Sequence, residues 1–323
     1  MQEPKRILIV KLSALGNVIL SLGPFAAIRQ HHPTAEITLL TTAPYAEWLA
    51  AAPWFDHILI DERPAWWNLP ALLRLRRLLR QGHFDRVYDL QTSSRSSWYF
   101  RLFRRAERPE WSGIAPGCSH PHRDLDRDSM HDIDRQFAQL ADAGVTERRP
   151  VNLSWNTTDL GRFNLPPSIA LLVPGSSPHR PAKRWPAASY GGVAARLLDA
   201  GITPVVLGTP AESGLAATIR QAAPAAIDLT GRTRLQDLAP LSRAATVAIG
   251  NDTGPMHLIA AAGCRSIVLF SHDSDPELCA PRGPSVTVLR RPDLAGLPVE
   301  AVLEQLGEAT LADLPARAAA FMQ

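Results

Sequence analysis

Cysteine is scarce. Cys118, Cys264 and Cys279 are odd in number and far apart in a chain of 323 residues. That spacing excludes a disulfide framework and a cysteine-rich metal site, and thiols in a reducing, cytoplasmic setting are the expectation. Long apolar runs are missing as well. Nothing reaches the roughly 18 residues of a membrane span. The N-terminal run Ile7-Leu-Ile-Val10 is broken by Lys11 and reads as a first strand rather than a secretory signal. Neither GxGxxG nor GxxxxGK[ST] occurs, so neither a nicotinamide cofactor nor a P-loop is supported. Zinc-finger, helix-turn-helix and RNA-recognition signatures are also absent. The small basic excess, +3 with a pI near 9.0, is too weak to argue a nucleic-acid partner. It suits an anionic ligand or an anionic membrane surface.

What is present is a globular composition, 46% hydrophobic and 20% charged, long enough for two domains. Short apolar runs alternate with helical patterns. Arg6 to Val10 reads as a buried parallel strand, and Glu36 to Leu40, a run near His57 to Ile60, and Phe84 to Leu90 read as further strands. A helix is expected over Val18 to Gln30, between the first two. Proline-bearing pieces over 150–167 mark a linker. A second strand series then starts at Ile169 and continues through TPVVLG, Ala226 to Leu229, TVAIG and IVLF. The expectation is α/β, with two Rossmann-like domains over 1–157 and 158–323. An alanine-rich run from Leu311 is expected to be helical and able to pack back on the first domain.

The stretch 251–281 organises the second half. Asn251-Asp252-Thr253-Gly254 follows TVAIG and opens a short helix containing His257. Carboxyl ends of parallel strands and helix N-termini are where α/β sheets bind phosphorylated ligands. Asp252 or Thr253 as a plain N-cap is the alternative. Upstream, Gly175, Ser176 and Ser177 offer amide and hydroxyl donors, and Lys183 and Arg184 offer charge, a set suited to a diphosphate. Glu212 at the next strand end can accept from two ribose hydroxyls; a first-turn helix acid is its plainer role.

In the first half, Lys11, Ser13, Gly16 and Asn17 form the loop after strand one, with Ser13 or Asn17 as a cap in the simpler reading. Asp89, Gln91 and Arg95 lie at the end of the Phe84 to Leu90 strand, over the same crevice. The helix from Leu69 carries Leu72, Leu75, Leu78 and Leu79 on one face and Arg74, Arg76, Arg77 and Arg80 on the other, below Trp66 and Trp67. This face is either simply solvated or meets phosphorylated lipid. His120, His122, Asp124, Asp126, Asp128 and His131 match no zinc or calcium spacing, so no metal site is assigned. The segment 113–130 is expected to be irregular.

Taken together, the KxSxxG loop at Lys11 to Gly16, the PGSSP loop leading to Lys183-Arg-Trp-Pro186, Gly208-Thr-Pro-Ala-Glu212 and NDTGPMHLIAAAG over 251–263 resemble glycosyltransferase family 9, the lipopolysaccharide heptosyltransferase class with the GT-B fold. The likeness runs over nearly the whole chain. It implies two Rossmann-like domains facing across a cleft, acceptor on the first and nucleotide sugar on the second. It implies metal-free transfer of heptose from ADP-heptose, with inversion, to a lipopolysaccharide core or other lipid-linked acceptor, at the cytoplasmic face of the inner membrane. No cofactor beyond the nucleotide-sugar donor is implied. By the resemblance, Lys183 binds phosphates, Glu212 holds ribose, and Asp252, Thr253, Gly254 and His257 line the sugar and diphosphate site. Lys11 and Ser13 sit at the cleft, and the segment from His131 faces the acceptor.

Two positions depart from the family pattern. Where the family has Gly-Asp, with the aspartate as general base, this chain has Gly16-Asn17. An amide can orient an attacking hydroxyl but cannot take its proton. Asp89 or His131 then become candidate bases, or catalysis rests on electrostatic stabilisation of the leaving diphosphate. Phe270-Ser-His-Asp273 stands where relatives have Gly-Pro-Thr, which leaves the sugar open. The rival readings are a nucleotide-sugar epimerase or hydrolase, and a non-catalytic nucleotide-sugar-binding relative.

Overall fold

The protein, described here by a computed structural model over residues 3–307, divides into two compact units at Trp155/Asn156. In the N-terminal unit the elements are β1 (Arg6–Val10), α1 (Leu15–Leu20), α2 (Leu22–His31), β2 (Glu36–Thr41), α3 (Ala43–Ala50), β3 (His57–Ile60), α4 (Leu69–Gln81), β4 (Arg86–Asp89), α5 (Ser94–Tyr99), β5 (Glu110–Gly113), β6 (His120–Pro121) and α6 (Asp132–Asp142). The strands form one parallel sheet in the order β3-β2-β1-β4-β5-β6. Covered by helices, β1 and β4 are buried along nearly their whole length; β1 shows this as a continuous apolar run, RILIV, whereas β4, RVYD, buries Arg86 and Asp89 as well.

The C-terminal unit repeats the plan with β7 (Ile169–Val173), α7 (Ala187–Asp199), β8 (Thr203–Val206), α8 (Ser213–Ala222), β9 (Ile227–Asp228), α9 (Leu235–Ala244), β10 (Ala245–Asn251), α10 (Gly254–Ala261), β11 (Ser266–Phe270), α11 (Pro276–Cys279), β12 (Val286–Arg290) and α12 (Val299–Glu304). Its sheet, also parallel, runs β12-β11-β10-β7-β8-β9. Each unit therefore has the doubly wound order, with its switch point between the first strand of the unit and the fourth: β1 beside β4, and β7 beside β10.

Several elements differ from expectation for local reasons. The helix expected over Val18 to Gln30 is two helices broken at Ser21, whose hydroxyl bonds the Asn17 carbonyl. Pro24, three residues on, has no N–H to continue an unbroken ladder. Strands β5 and β6 are short and polar in sequence (EWSG and HP), and β12 is a half-exposed edge, so none carries the long apolar run that betrays a central strand. On α4, Leu72, Leu75 and Leu79 are buried while Leu69, Leu73, Arg74, Arg76 and Arg77 are exposed. The Arg80 guanidinium donates to the Leu102 carbonyl. Gly192 on α7 lies under Val299, where a Cβ would come within 3.3 Å of a valine methyl, so α12 is seated within the C-terminal unit. The alanine-rich run from Leu311 lies outside the described residues. Among the described residues no helix is long and apolar enough to cross a membrane.

Candidate functional site

In the C-terminal unit the site is assembled around the end of β10. Asn251 is fully buried and uses both ends of its amide. Its Oδ1 accepts from the Trp185 amide and the Tyr190 hydroxyl, each at 3.0 Å. Its Nδ2 donates to the carbonyls of Pro174 (2.8 Å) and Gly175 (3.2 Å). This one side chain ties the loop after β7 to the end of β10. Read in sequence, Asn251 is only the first residue of a polar loop; no local pattern signals a clamp between segments more than 60 residues apart.

One residue on, the Asp252 carboxylate meets Lys183 Nζ at 2.5 Å, with His257 Nε2 at 3.9 Å from its other oxygen. Burial opposes the charge, but His257, Lys183 and Ser274 beside it outweigh burial and hold the Asp252 pKa to about 2. The pair is a formed ion pair at neutral pH. Thr253 N-caps α10 by backbone position only, since its side chain makes no capping bond. Its buried hydroxyl, and the buried Nδ1 of His257, have no hydrogen-bond partner among the described residues. Buried polar atoms are rarely left so; Thr253 is the N-cap of α10 and His257 lies in its first turn. Gly254 begins that helix.

The remaining candidates in this unit brace the loops. Ser176 Oγ donates to the Arg180 carbonyl (3.1 Å) and accepts from Arg184 Nε (3.0 Å), and Arg184 also donates to the Ser176 carbonyl. Arg184 thus shapes the turn that presents Lys183. Ser177 is exposed, its carbonyl accepting from the Arg180 amide. Glu212 Oε2 accepts from the Thr209 amide (2.7 Å) and hydroxyl (3.1 Å), closing a capping box. Its other oxygen lies against Gly175, where any Cβ would collide with the carboxylate; Gly208 is crowded by the same group. Glycine at 175 is therefore a close-approach requirement, and the plainer capping role of Glu212 is real without using both oxygens.

In the N-terminal unit the same strand ends are knitted shut. Lys11 is buried and donates from Nζ to the Leu90 carbonyl at 2.9 Å. Burial lowers its pKa, Asp132 and Asp89 working the other way. Gln91 Oε1 accepts from the amides of Leu12 (2.8 Å) and Ser13 (3.1 Å), joining the loop after β1 to the loop after β4. Gly16 is buried in the first turn of α1, and Asn17 beside it is exposed. Arg95 donates to the Pro64 carbonyl and lies over the Trp66 ring at 4.6 Å.

Asp89 is wholly buried. Its Oδ1 accepts from the amides of Gln91 and Thr92, and Gln139 donates to its carbonyl. Burial raises its pKa to about 7, against the pull of the Ser96 hydroxyl, those two amides and Lys11. His131 is buried at the N-cap of α6 and accepts from the Ile133 amide through Nδ1. The histidine-aspartate run upstream is divided: His122 pairs with Asp142 at 2.8 Å, and His120 lies 3.7 Å from Glu110. Asp132, passed over in the sequence as part of a charged helix start, comes to lie in the electrostatic reach of Lys11 and paired with Arg135.

The sequence profile of Glycosyltransferase family 9 (heptosyltransferase) matches residues 72–300. The chain is 26% identical over 309 residues to lipopolysaccharide heptosyltransferase 2 of Salmonella typhimurium, covering 88% of each chain. In structure it is similar to the ADP-heptose lps heptosyltransferase II of Escherichia coli, with a TM-score of 0.79 at 22% identity over 96% of this chain and 99% of that one. It is also similar to E. coli heptosyltransferase WaaC with ADP, with a TM-score of 0.74 at 21% identity, covering 94% and 99%. These likenesses establish the two-domain α/β GT-B fold. The family match spans more than half the chain and includes both the Lys183 loop and the Asp252 stretch: the protein is a glycosyltransferase and belongs to family 9, the heptosyltransferases.

Proposed function

We propose that this chain transfers heptose from ADP-heptose to a lipopolysaccharide core or related glycan acceptor, inverting the anomeric carbon and using no metal ion. The observation that carries the reading is the Lys183–Asp252 pair at the N-terminus of α10, beside the unpartnered Thr253 hydroxyl and His257 Nδ1. A nucleoside diphosphate supplies what that place lacks, oxygens that accept from the ammonium, the threonine hydroxyl and the helix amides. As the bond from the anomeric carbon to the diphosphate breaks, negative charge grows on the leaving oxygens, and Lys183 with the α10 amides stabilises it. Glu212 takes the ribose hydroxyls through the oxygen its cap leaves over. The named relatives, one a lipopolysaccharide heptosyltransferase and one a heptosyltransferase with ADP, support this donor and acceptor for this chain.

The acceptor belongs to the N-terminal unit in this reading, and the same unit meets an anionic lipid surface at the cytoplasmic side of the inner membrane. Trp67 is 84% exposed, and Leu69 and Leu73 stand exposed one helical turn apart on α4, the helix that also exposes Arg74 and Arg77. Apolar tips accompanied by arginine suit the interface of an anionic bilayer.

The test is release of nucleoside diphosphate from ADP-heptose, UDP-sugars and GDP-sugars, each with and without lipopolysaccharide core, repeated in EDTA. Acceptor-dependent release of ADP alone, unchanged by EDTA, is expected. Release without acceptor would make the chain a hydrolase or epimerase. Loss in EDTA would overturn the metal-free reading.

A further inference from the structure

Position 17 carries an amide, so a hydroxyl nucleophile brought to the N-terminal unit needs its base elsewhere. The carboxylates near the carboxyl ends of that sheet can be taken in turn. Asp89 is sealed, with no exposed surface, and both its backbone and its Oδ1 are engaged. Asp61 is 2% exposed and accepts from the Arg63 amide and the Tyr99 hydroxyl. Glu62 is exposed beyond the edge strand β3, 4.0 Å from Arg74. Asp134 pairs with Arg148 at 2.9 Å.

Asp132 is different in placement. Helices α1 and α2 pack along α6 with the chain direction preserved. Ser21 Oγ is 2.7 Å from Gln136 Oε1, and two residues further on a Cβ at Gly23 would lie 3.3 Å from the Phe137 ring. Stepping back one turn, about 5.4 Å, from each partner of the Ser21–Gln136 bond leads to Asn17 on one helix and Asp132 on the other. Both therefore lie in the first turns of neighbouring helices. Against the burial of Asp132, the Lys11 ammonium and the Arg135 guanidinium hold its carboxyl below the usual carboxylate range, with Arg135 donating to Oδ1 and Gln136 Nε2 at 3.4 Å from Oδ2. The side chain keeps 10% of its surface exposed, and Asn17 is exposed as well.

We propose that Asp132 is the general base of this chain, taking the proton of the acceptor hydroxyl while the Asn17 amide orients that hydroxyl. The hydroxyl O–H bond breaks and its proton passes to an Asp132 oxygen. The freed electron pair forms the bond from oxygen to the anomeric carbon. The carbon–oxygen bond to the diphosphate breaks, its electrons leaving with the nucleoside diphosphate. Lys11 and Arg135 keep Asp132 ionised throughout the neutral range, so the base is always in its working form, and the proton returns to water between turnovers. The proposal rests on the transfer reading given above.

The experiment uses the full chain with ADP-heptose and lipopolysaccharide core, following ADP release. The unaltered chain comes first; absence of acceptor-dependent release there overturns the transfer reading and this proposal with it. Asp132→Asn, nearly isosteric, should then lower kcat by about 10²- to 10⁴-fold while ADP binding, measured by calorimetry, stays the same. The decisive variant is Asn17→Asp combined with Asp132→Asn. If the two positions present a carboxylate to the same hydroxyl, the double variant recovers at least about tenfold of the lost rate. A structural loss at α6 would not be restored by a carboxylate on α1. Two results overturn the assignment: Asp132→Asn retaining the kcat of the unaltered chain, or a folded double variant, checked by its melting temperature, that recovers nothing.

Discussion

The two units share one strand order, yet their fourth strands end in opposite electrostatic states. In the C-terminal unit a buried amide, Asn251, occupies the last position of β10 and holds the loops together, while the carboxylate sits one residue further out. There it meets Lys183, carried ten residues beyond the end of β7 on a long loop, and stays charged with a pKa of about 2. In the N-terminal unit the carboxylate itself, Asp89, is the last residue of β4, and the lysine, Lys11, follows β1 directly. That lysine reaches a carbonyl rather than the carboxylate, and burial lifts Asp89 to about 7. A shift of one position along the strand separates a carboxylate that pairs with a lysine from one that organises a turn.

Removing the charge that faces the donor should have the largest effect. Lys183→Ala should lower kcat/KM for transfer by about 10³-fold, the scale of losing one charge-stabilising donor at a leaving group. It should also weaken ADP binding in calorimetry. Unchanged ADP affinity would remove Lys183 from the diphosphate site and, with it, the contrast between the two lysines.

Next is the sealed carboxylate. The folded pKa of Asp89 lies above that of an unfolded aspartate near 3.9, so its contribution is complete below about pH 4 and is lost as pH rises through about 7, by no more than about 4 kcal/mol. Asp89→Asn lacks that loss. Denaturant midpoints at pH 5 and pH 8 should therefore fall less in the variant than in the unaltered chain; parallel profiles would mean that Asp89 is charged in the folded state.

Asp252 has the opposite sign. Its folded pKa, about 2, is depressed, so its stabilisation is present above about pH 4 and lost as pH falls towards 2, about 2–3 kcal/mol in all. Asp252→Asn should flatten the acid limb of stability between pH 4 and 2, and acid unfolding followed by circular dichroism reads it. An acid limb as steep as before would place its cause in other carboxylates.

The smallest effect lies at the exposed face of α4. Arg74→Glu with Arg77→Glu should lower the affinity for vesicles containing anionic phospholipid by about 1 kcal/mol per lost positive charge or somewhat more, and salt should erase the difference. Equal sedimentation with anionic and neutral vesicles would leave this a solvated face.

Much of the fold is written in one-dimensional signals. The runs RILIV, IALLV and SIVLF must be buried on both faces, and that requires parallel strands covered by helices. The polar residues that follow them then fall at the carboxyl ends of the sheet, which is why Lys183, Glu212, Asp252, Thr253 and His257 stand out in the sequence as site candidates. The strands EWSG, HP and VTVLR were not legible because short or edge strands lack a distinctive period.

Composition and pattern thus determined the doubly wound class and the presence of two units, because burial and hydrogen-bond satisfaction act locally along a strand or helix. Which members of those loops are charged, sealed or available was decided only by tertiary structure. Asn251 as a clamp, Asp89 as a turn former, the ion pair between residues 69 apart and the pairing of Ser21 with Gln136 depend on distances between segments remote in sequence. The state of a carboxylate depends on which lysine and how much water the fold leaves beside it, and no local pattern records either.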